Sequence, residues 1–193
     1  MARGSLRDEL KGLVRDRVSR VTVELSYELG FDNVTVAQIA AAASISPRTF
    51  NRYYPSKEDA ALGDILAVGA GVRDALAARP EDEPIWASLH AAFHSILADS
   101  ADQELGRKRA AVLIGTPSLR GRHLQRRLAW VDYLEPIVAE RITGPDREIR
   151  AKAIVNAAIM CWDVTMVVWV REEPSASGEA LLRSAFSALS AHG

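Results

Sequence analysis

The stretch "GFDNVTVAQIAAAASISPRTFNRYYPSKED", residues 30–59, sets glycine, two prolines and several hydroxyl residues around two short apolar-periodic segments. Thr35 stands before Val36, Ile39, Ala40 and Ala43, whose spacing makes one apolar helical face, so its hydroxyl is placed to cap a short helix from about Val36 to Ala42. Ser44-Ile45-Ser46 interrupts that helix, and Ser46-Pro47 restarts one with a hydroxyl cap and a proline in the first turn. Pro55 ends the second helix. Two short helices joined by a tight turn are the plan of a helix-turn-helix, whose second helix enters the DNA major groove.

The second helix divides by face. At about 100° per residue, with Arg48 at zero, Asn51, Arg52 and Thr49 fall near −60°, 40° and 100°, whereas Phe50 and Tyr54 fall near 200° and 240°. The aromatic side suits docking on neighbouring helices and leaves Arg48, Thr49, Asn51 and Arg52 for base edges and phosphates. Ser56 then caps a further helix with Glu58 and Asp59 in its first turn, and Lys57 with nearby backbone N–H groups suits a phosphate.

Outward from this stretch, Leu10, Leu13, Val14, Val18, Val21, Leu25 and Leu29 recur at helical steps and end at Gly30, a C-cap residue. Similar periodicity covers 56–78, 84–98, 103–114, 117–142, 146–171 and 177–191, which with the two short helices predicts an all-α chain of about nine helices. The breaks carry "RPEDEP" at 79–84, "GTPS" at 115–118, "TGPD" at 143–146 and "EEPSASG" at 172–178. Pro136 inside a helical pattern is expected to kink or divide its helix.

The 193 residues are 48 % hydrophobic, enough for a core without metal or disulfide staples. The one cysteine, Cys161, has no internal partner, and the N-terminal sequence lacks an apolar signal core, which points to a reducing cytoplasm. The most apolar run, 153–170, is interrupted by Asn156 and Asp163, so a soluble chain with no membrane partner is expected. The net charge of −1 gives no global sign of a nucleic-acid partner, but charge is clustered: 33–57 holds Arg48, Arg52 and Lys57 without an acid. Residues 105–131 are also acid-free and hold Arg107, Lys108, Arg109, Arg120, Arg122, Arg126 and Arg127.

The segment from Arg7 to about Ala60 resembles the DNA-binding signature of the TetR family of one-component bacterial regulators. The resemblance implies a helix-turn-helix domain over 1–55 and a helical ligand-binding and dimerisation domain over 56–193. It places DNA contacts on Thr35, Ser46, Arg48, Thr49, Asn51, Arg52, Tyr53 and Lys57, with Phe50 and Tyr54 packed inside. Two residues depart from the pattern: Ser44 replaces the common turn glycine, and Asn51 stands at a usually aromatic position. Asn51 pairs with adenine, binds a phosphate, or satisfies a local backbone group.

Within the family, "RTFNRYYPSKED" and the later tryptophans resemble the actinobacterial acyl-CoA-responsive, mycofactocin-type branch. Trp86, Phe93, Trp130, Trp162, Met166 and Trp169 are candidates for pocket walls or for ordinary core. The basic stretch from Arg107 to Arg127 reads as an anion site for a ligand such as a CoA phosphate, as an attractor of DNA, or as a solvated helix face. Cys161 reads as a small buried residue.

The expected function is a ligand-responsive transcriptional regulator, a repressor, that binds a near-palindromic double-stranded operator as a homodimer and is released by a small, acyl-CoA-like effector. The last two long helices are candidates for a four-helix dimer interface. No enzyme activity, cofactor or metal is expected. Two alternatives remain: an all-α metal-dependent enzyme using His90 and His94, four residues apart, or a TetR-like ligand-binding module that has lost DNA binding.

Overall fold

In a computed structural model of the chain, residues 2–63, 65–98, 103–172 and 177–190 are described, with side chains from Leu10 onward except at 65, 66, 98 and 126. The Arg126 side chain and most of the 172–178 break therefore lie outside what is described. All regular structure among them is helical: α1 (Ala2–Leu29), a 3-10 turn (Phe31–Asn33), α2 (Val36–Ala42), α3 (Pro47–Tyr53), α4 (Lys57–Leu62), α5 (Ile65–Ala77), α6 (Ile85–Ala98), α7 (Gln103–Gly115), α8 (Pro117–Arg141), α9 (Arg147–Arg171) and α10 (Gly178–Ser190).

The helix expected over 56–78 is two helices, because Gly63 adopts φ 62° and ψ −149°, a conformation that a side chain resists. A Cβ there would also collide with the Arg109 guanidinium and the Ser19 hydroxyl. Pro136 does not divide α8, which is continuous from Pro117 to Arg141. The fully buried Leu134 and Val138 on either side anchor the turn that lacks the proline's hydrogen bond.

The chain forms two compact units, Met1–Gly63 with Glu104–Gly121, and Asp64–Gln103 with Arg122–Gly193. This partition differs from a division at 55/56 because α4 and α7 supply interior to the first unit. Val18, Val34, Ile39, Ala40, Ala43, Phe50, Tyr54 and Ala60 make one core cluster, and Phe31, Ala61, Val112 and Leu119 make another beside it. Arg109 of α7 donates to Ser19 Oγ and to the Ala61 carbonyl, both at 3.0 Å. Burial lowers its affinity for the proton below the ordinary arginine value. The apolar stripe read along α1 is core only in part: Val18 is fully buried, whereas Leu10 and Leu13 are 54 % and 65 % exposed.

In the second unit α6, α9 and α10 pack together around Leu89, Phe93, Val155, Ala158, Ile159, Leu182 and Phe186. By length and composition α9 is apolar enough to cross a membrane, with a mean hydropathy of 1.8 over its best window. Its buried face, from Ala151 through Val155, Ile159 and Thr165 to Trp169, is that of a core helix. Cys161 lies on this face, with its thiol 3.5 Å from the Ala185 carbonyl and its pKa pushed up by burial.

Candidate nucleic-acid interface

Helix α2 begins at a capping box. Thr35 Oγ1 accepts from the Gln38 N–H at 3.3 Å, and the Gln38 side chain accepts from the Thr35 N–H at 2.8 Å. The helix ends with Ile45 N–H donating to the Ala40 carbonyl at 2.9 Å and Ser44 N–H to the Ala41 carbonyl at 3.0 Å. This is a Schellman pairing, and it requires a left-handed residue between the two helices. Ser44 fills that position at φ 59°. Arg17 Nη2 donates to its hydroxyl at 3.4 Å.

Helix α3 starts where Ser46 Oγ accepts from the Thr49 N–H at 3.1 Å, with Pro47 in the first turn. The two hydroxyls, Ser46 Oγ and Thr49 Oγ1, are also hydrogen-bonded at 2.9 Å. Phe50 is 0 % and Tyr54 3 % exposed, and their rings lie 6.2 Å apart. Arg15 of α1 locks this end: its guanidinium stands 4.9 Å from the Tyr54 ring centroid, its Nη1 donates to the Tyr53 carbonyl, and Tyr54 OH donates back to the Arg15 carbonyl at 3.2 Å. Burial raises the Tyr54 pKa above the ordinary phenol value despite the Arg15 charge.

On the opposite face Arg48, Asn51 and Arg52 are exposed, Thr49 and Tyr53 half-buried. The Arg52 guanidinium sits 5.1 Å from the Tyr53 ring centroid. The Asn51 side chain is solvent-facing, and no described hydrogen bond occupies its amide.

Ser56 Oγ caps α4 through the Asp59 N–H at 3.2 Å. Lys57 is drawn inward: Nζ donates to the Phe31 carbonyl at 2.8 Å and to the Val34 carbonyl at 2.9 Å, and stands 4.5 Å from the Phe31 ring centroid. Its charge therefore caps the carbonyls of the first residue of the 3-10 turn and of its C-cap, the former also accepting from the Val34 N–H at 3.3 Å, a role that sequence spacing did not indicate. One ammonium donor remains for a phosphate.

The other residues singled out in the sequence lie as follows. Phe93, Trp130 and Trp162 stack with centroid separations of 5.7, 6.2 and 6.4 Å, and Trp169 and Met166 belong to the same core cluster. Trp86 packs at the edge of that cluster, its ring centroid 4.8 Å from that of Phe186 and its Nε1 donating to the Phe186 carbonyl at 3.1 Å. It alone of the six lines a groove of about 860 Å³, together with His90, Ile154, Ala157, Arg183 and Phe186. The His90 and His94 rings are 6.0 Å apart, and His94 Nε2 faces Glu179 at 3.3 Å. Among the described residues no group of three or more His, Cys, Asp or Glu side chains gathers as metal ligands.

Four cations of the basic stretch have partners within their own units. Arg109 is interior to the first unit, Lys108 pairs with Glu104 at 2.8 Å, Arg120 donates to the Ile114 carbonyl, and Arg127 is ion-paired with Asp163.

Family comparisons match these two regions. The family model described as bacterial regulatory proteins, tetR family, covers residues 20–60, and one described as the MftR C-terminal domain covers 83–192. The chain is 34 % identical over 134 residues to the HTH-type transcriptional regulator TcmR of Streptomyces glaucescens, a match that takes in 66 % of this chain and spans 59 % of TcmR. It is 29 % identical over 167 residues to MftR of Mycobacterium tuberculosis, named as a mycofactocin biosynthesis transcriptional regulator, over 85 % of this chain and 83 % of MftR. The fold matches the FadR regulator of Bacillus subtilis, solved in complex with stearoyl-CoA, at a TM-score of 0.62 and 18 % identity over 90 % of this chain and 96 % of that one. The capped helices with an aromatic inner face and a cationic outer face thus lie within the N-terminal match, and the C-terminal match covers more than half of the chain: the chain belongs to the TetR family of bacterial regulatory proteins, in the group with an MftR-type C-terminal domain.

Proposed function

We propose that the chain is a ligand-responsive repressor of transcription that works in the cytoplasm as a homodimer on a near-palindromic DNA operator and is released by an acyl-CoA-like effector. The observation that carries this reading is α3, whose Phe50 and Tyr54 are buried while Arg48, Asn51 and Arg52 face outward. Arg48 and Asn51 read base edges in the major groove, Arg52, Tyr53 and Lys57 hold phosphates, and the hydroxyls of Thr35, Ser46 and Thr49 contact the backbone at the helix starts. DNA binding falls to 1–55, supported by α4 and α7 of the same compact unit. Ligand binding and dimerisation fall within 56–193.

The dimer uses α9 and α10, where Met160, Val164 and Leu189 are exposed apolar residues. The effector lies against Phe93, Trp130, Trp162, Met166 and Trp169, with Trp86 at the margin, and the acyl-CoA class is taken from the stearoyl-CoA complex of FadR. Effector and DNA must then oppose each other by the same factor, because each favours a different state of one protein.

The test is a duplex-binding assay at several salt concentrations, with the DNA that the protein selects from a random pool, repeated with stearoyl-CoA. Selective binding weakened by stearoyl-CoA is expected. Absence of salt-dependent duplex binding would overturn the reading as a DNA-binding regulator, and unchanged binding with stearoyl-CoA would overturn the effector class.

A further inference from the structure

Where α1 passes α3, a cleft of about 490 Å³ is lined by Leu10, Lys11, Val14, Arg15, Arg52 and Tyr53. Three of its six lining residues are cations and none is an acid. Two of the cations have their positions set by neighbouring aromatic rings. Arg15 is held at the Tyr54 ring and the Tyr53 carbonyl, and Arg52 lies over the Tyr53 ring. Lys11 stands one helical turn from Arg15 on the exposed part of α1. Leu10 and Val14 give the cleft apolar walls, which strengthen the field of the charges between them. Leu10 is 54 % exposed, so it does not serve the core of this unit.

We infer that this cleft is a second DNA-backbone site, in which Lys11 and Arg15 of α1, with Arg52 and Tyr53 of α3, clamp a phosphodiester beside the groove that α3 enters. The inference rests on the DNA-binding reading above and extends it to α1, which none of the residues chosen from sequence included. The occupant follows from placement: Arg52 and Tyr53 end the reading helix, and a helix seated in a groove about 12 Å wide has a phosphate strand along each side.

Lys11 is the residue to change, because Arg15 also holds α3 and its loss would disturb the fold. The full-length protein, wild type and Lys11→Ala, Lys11→Glu and Lys11→Arg, is titrated with a random-sequence duplex and with the duplex selected from a random pool. Affinities are measured across salt concentrations, helicity is checked by circular dichroism, and inorganic phosphate is titrated separately. In the proposed dimer Lys11→Ala removes one contact from each protomer, so it should lower the salt slope by about two and weaken both duplexes about sixtyfold at 0.1 M salt, leaving their ratio unchanged. Lys11→Glu should weaken both further, and Lys11→Arg should retain the slope.

An unchanged slope in a folded Lys11→Ala variant would overturn the inference while leaving the regulator reading intact. Loss of phosphate binding with no change on DNA would do the same and assign the cleft to a free anion. Failure of the wild type to bind any duplex would overturn both readings.

Discussion

Helices α3 and α9 reach stability by opposite routes. The seven residues of α3 are too few for an independent helix, since isolated helices below about 12–15 residues are marginal in water. It is held by its Ser46 cap, by Pro47 and by two aromatic anchors, and Arg48, Asn51 and Arg52 are left to solvent. The 25 residues of α9 follow Asp146, an N-cap with φ 56° and no side-chain cap bond. That helix is fixed by burying Ala151, Val155, Ala158, Ile159 and Trp169. Few, local anchors leave a helix free to present its polar face to a partner, whereas a long helix held by burial commits its chemistry to the interior.

The strongest way to break this contrast is to remove one anchor from each unit. Phe50→Ala and Phe93→Ala both empty a fully buried phenylalanine site, and each should cost about 3–5 kcal/mol in denaturant unfolding. Their functional consequences should separate. Phe50→Ala should lose duplex binding on every sequence, because α3 has one other buried anchor. Phe93→Ala, assayed where it remains folded, should keep duplex binding and lose its response to stearoyl-CoA. A Phe93→Ala protein that responds to stearoyl-CoA like the wild type would remove the aromatic cluster from the proposed ligand site.

Next in size are the charged residues around α3. Arg48→Ala should cost about 1–3 kcal/mol on the selected duplex and relax preference at particular base pairs, with a smaller loss on random DNA. Lys57→Ala should weaken selected and random duplexes alike and reduce the salt slope. The two carbonyl bonds of Lys57 add a second consequence, a loss of roughly 1–3 kcal/mol of stability, because the Phe31 and Val34 carbonyls lose a charged donor. Normal stability together with weakened DNA binding in Lys57→Ala would mean that the intramolecular bonds contribute nothing and the lysine serves DNA alone.

These residues also mark what the sequence could and could not reveal. Thr35, Ser46, Ser56, Pro47 and Gly30 announced their helix ends because capping acts over three or four residues, a range visible in the letters themselves. The inward direction of Phe50 and Tyr54 followed from helical period alone. The Lys57 bonds span 26 and 23 residues, and the Arg109 bonds to Ser19 and Ala61 span 90 and 48, so no local pattern encodes them. Arg109 stood in a run of basic residues that has the composition of a solvated face, yet its neutral partners draw it into the interior. Leu10 and Leu13 kept the helical rhythm of the core without joining it, since periodicity marks a face but not whether another element covers it. The aromatic residues of the second unit were identifiable by size, but their division between the Phe93 stack and the Trp86 groove depends on how α6, α8, α9 and α10 meet.

The smallest expected effect tests the local route itself. Ser44 holds the left-handed position of the Schellman turn at φ 59°, where a side chain costs about 1–2 kcal/mol and glycine almost nothing. Ser44→Gly removes that strain but returns part of the gain through the greater freedom of glycine in the unfolded chain, about 0.4–1 kcal/mol, and gives up the long Arg17 contact. The balance is a stabilisation of about 0.5–1 kcal/mol, seen as a rise of roughly 1–4 °C in melting temperature for a chain of this size. Ser44→Ala keeps the strain and loses the contact, so the order of stability should be glycine, serine, alanine. Base preference should not change in either variant, because Ser44 precedes α3 and the Ser46 cap fixes where that helix begins. A glycine variant that melts below the wild type would show that the Ser44 hydroxyl contributes more than its backbone conformation costs, and that the turn between the two short helices is held by a side chain rather than by its geometry.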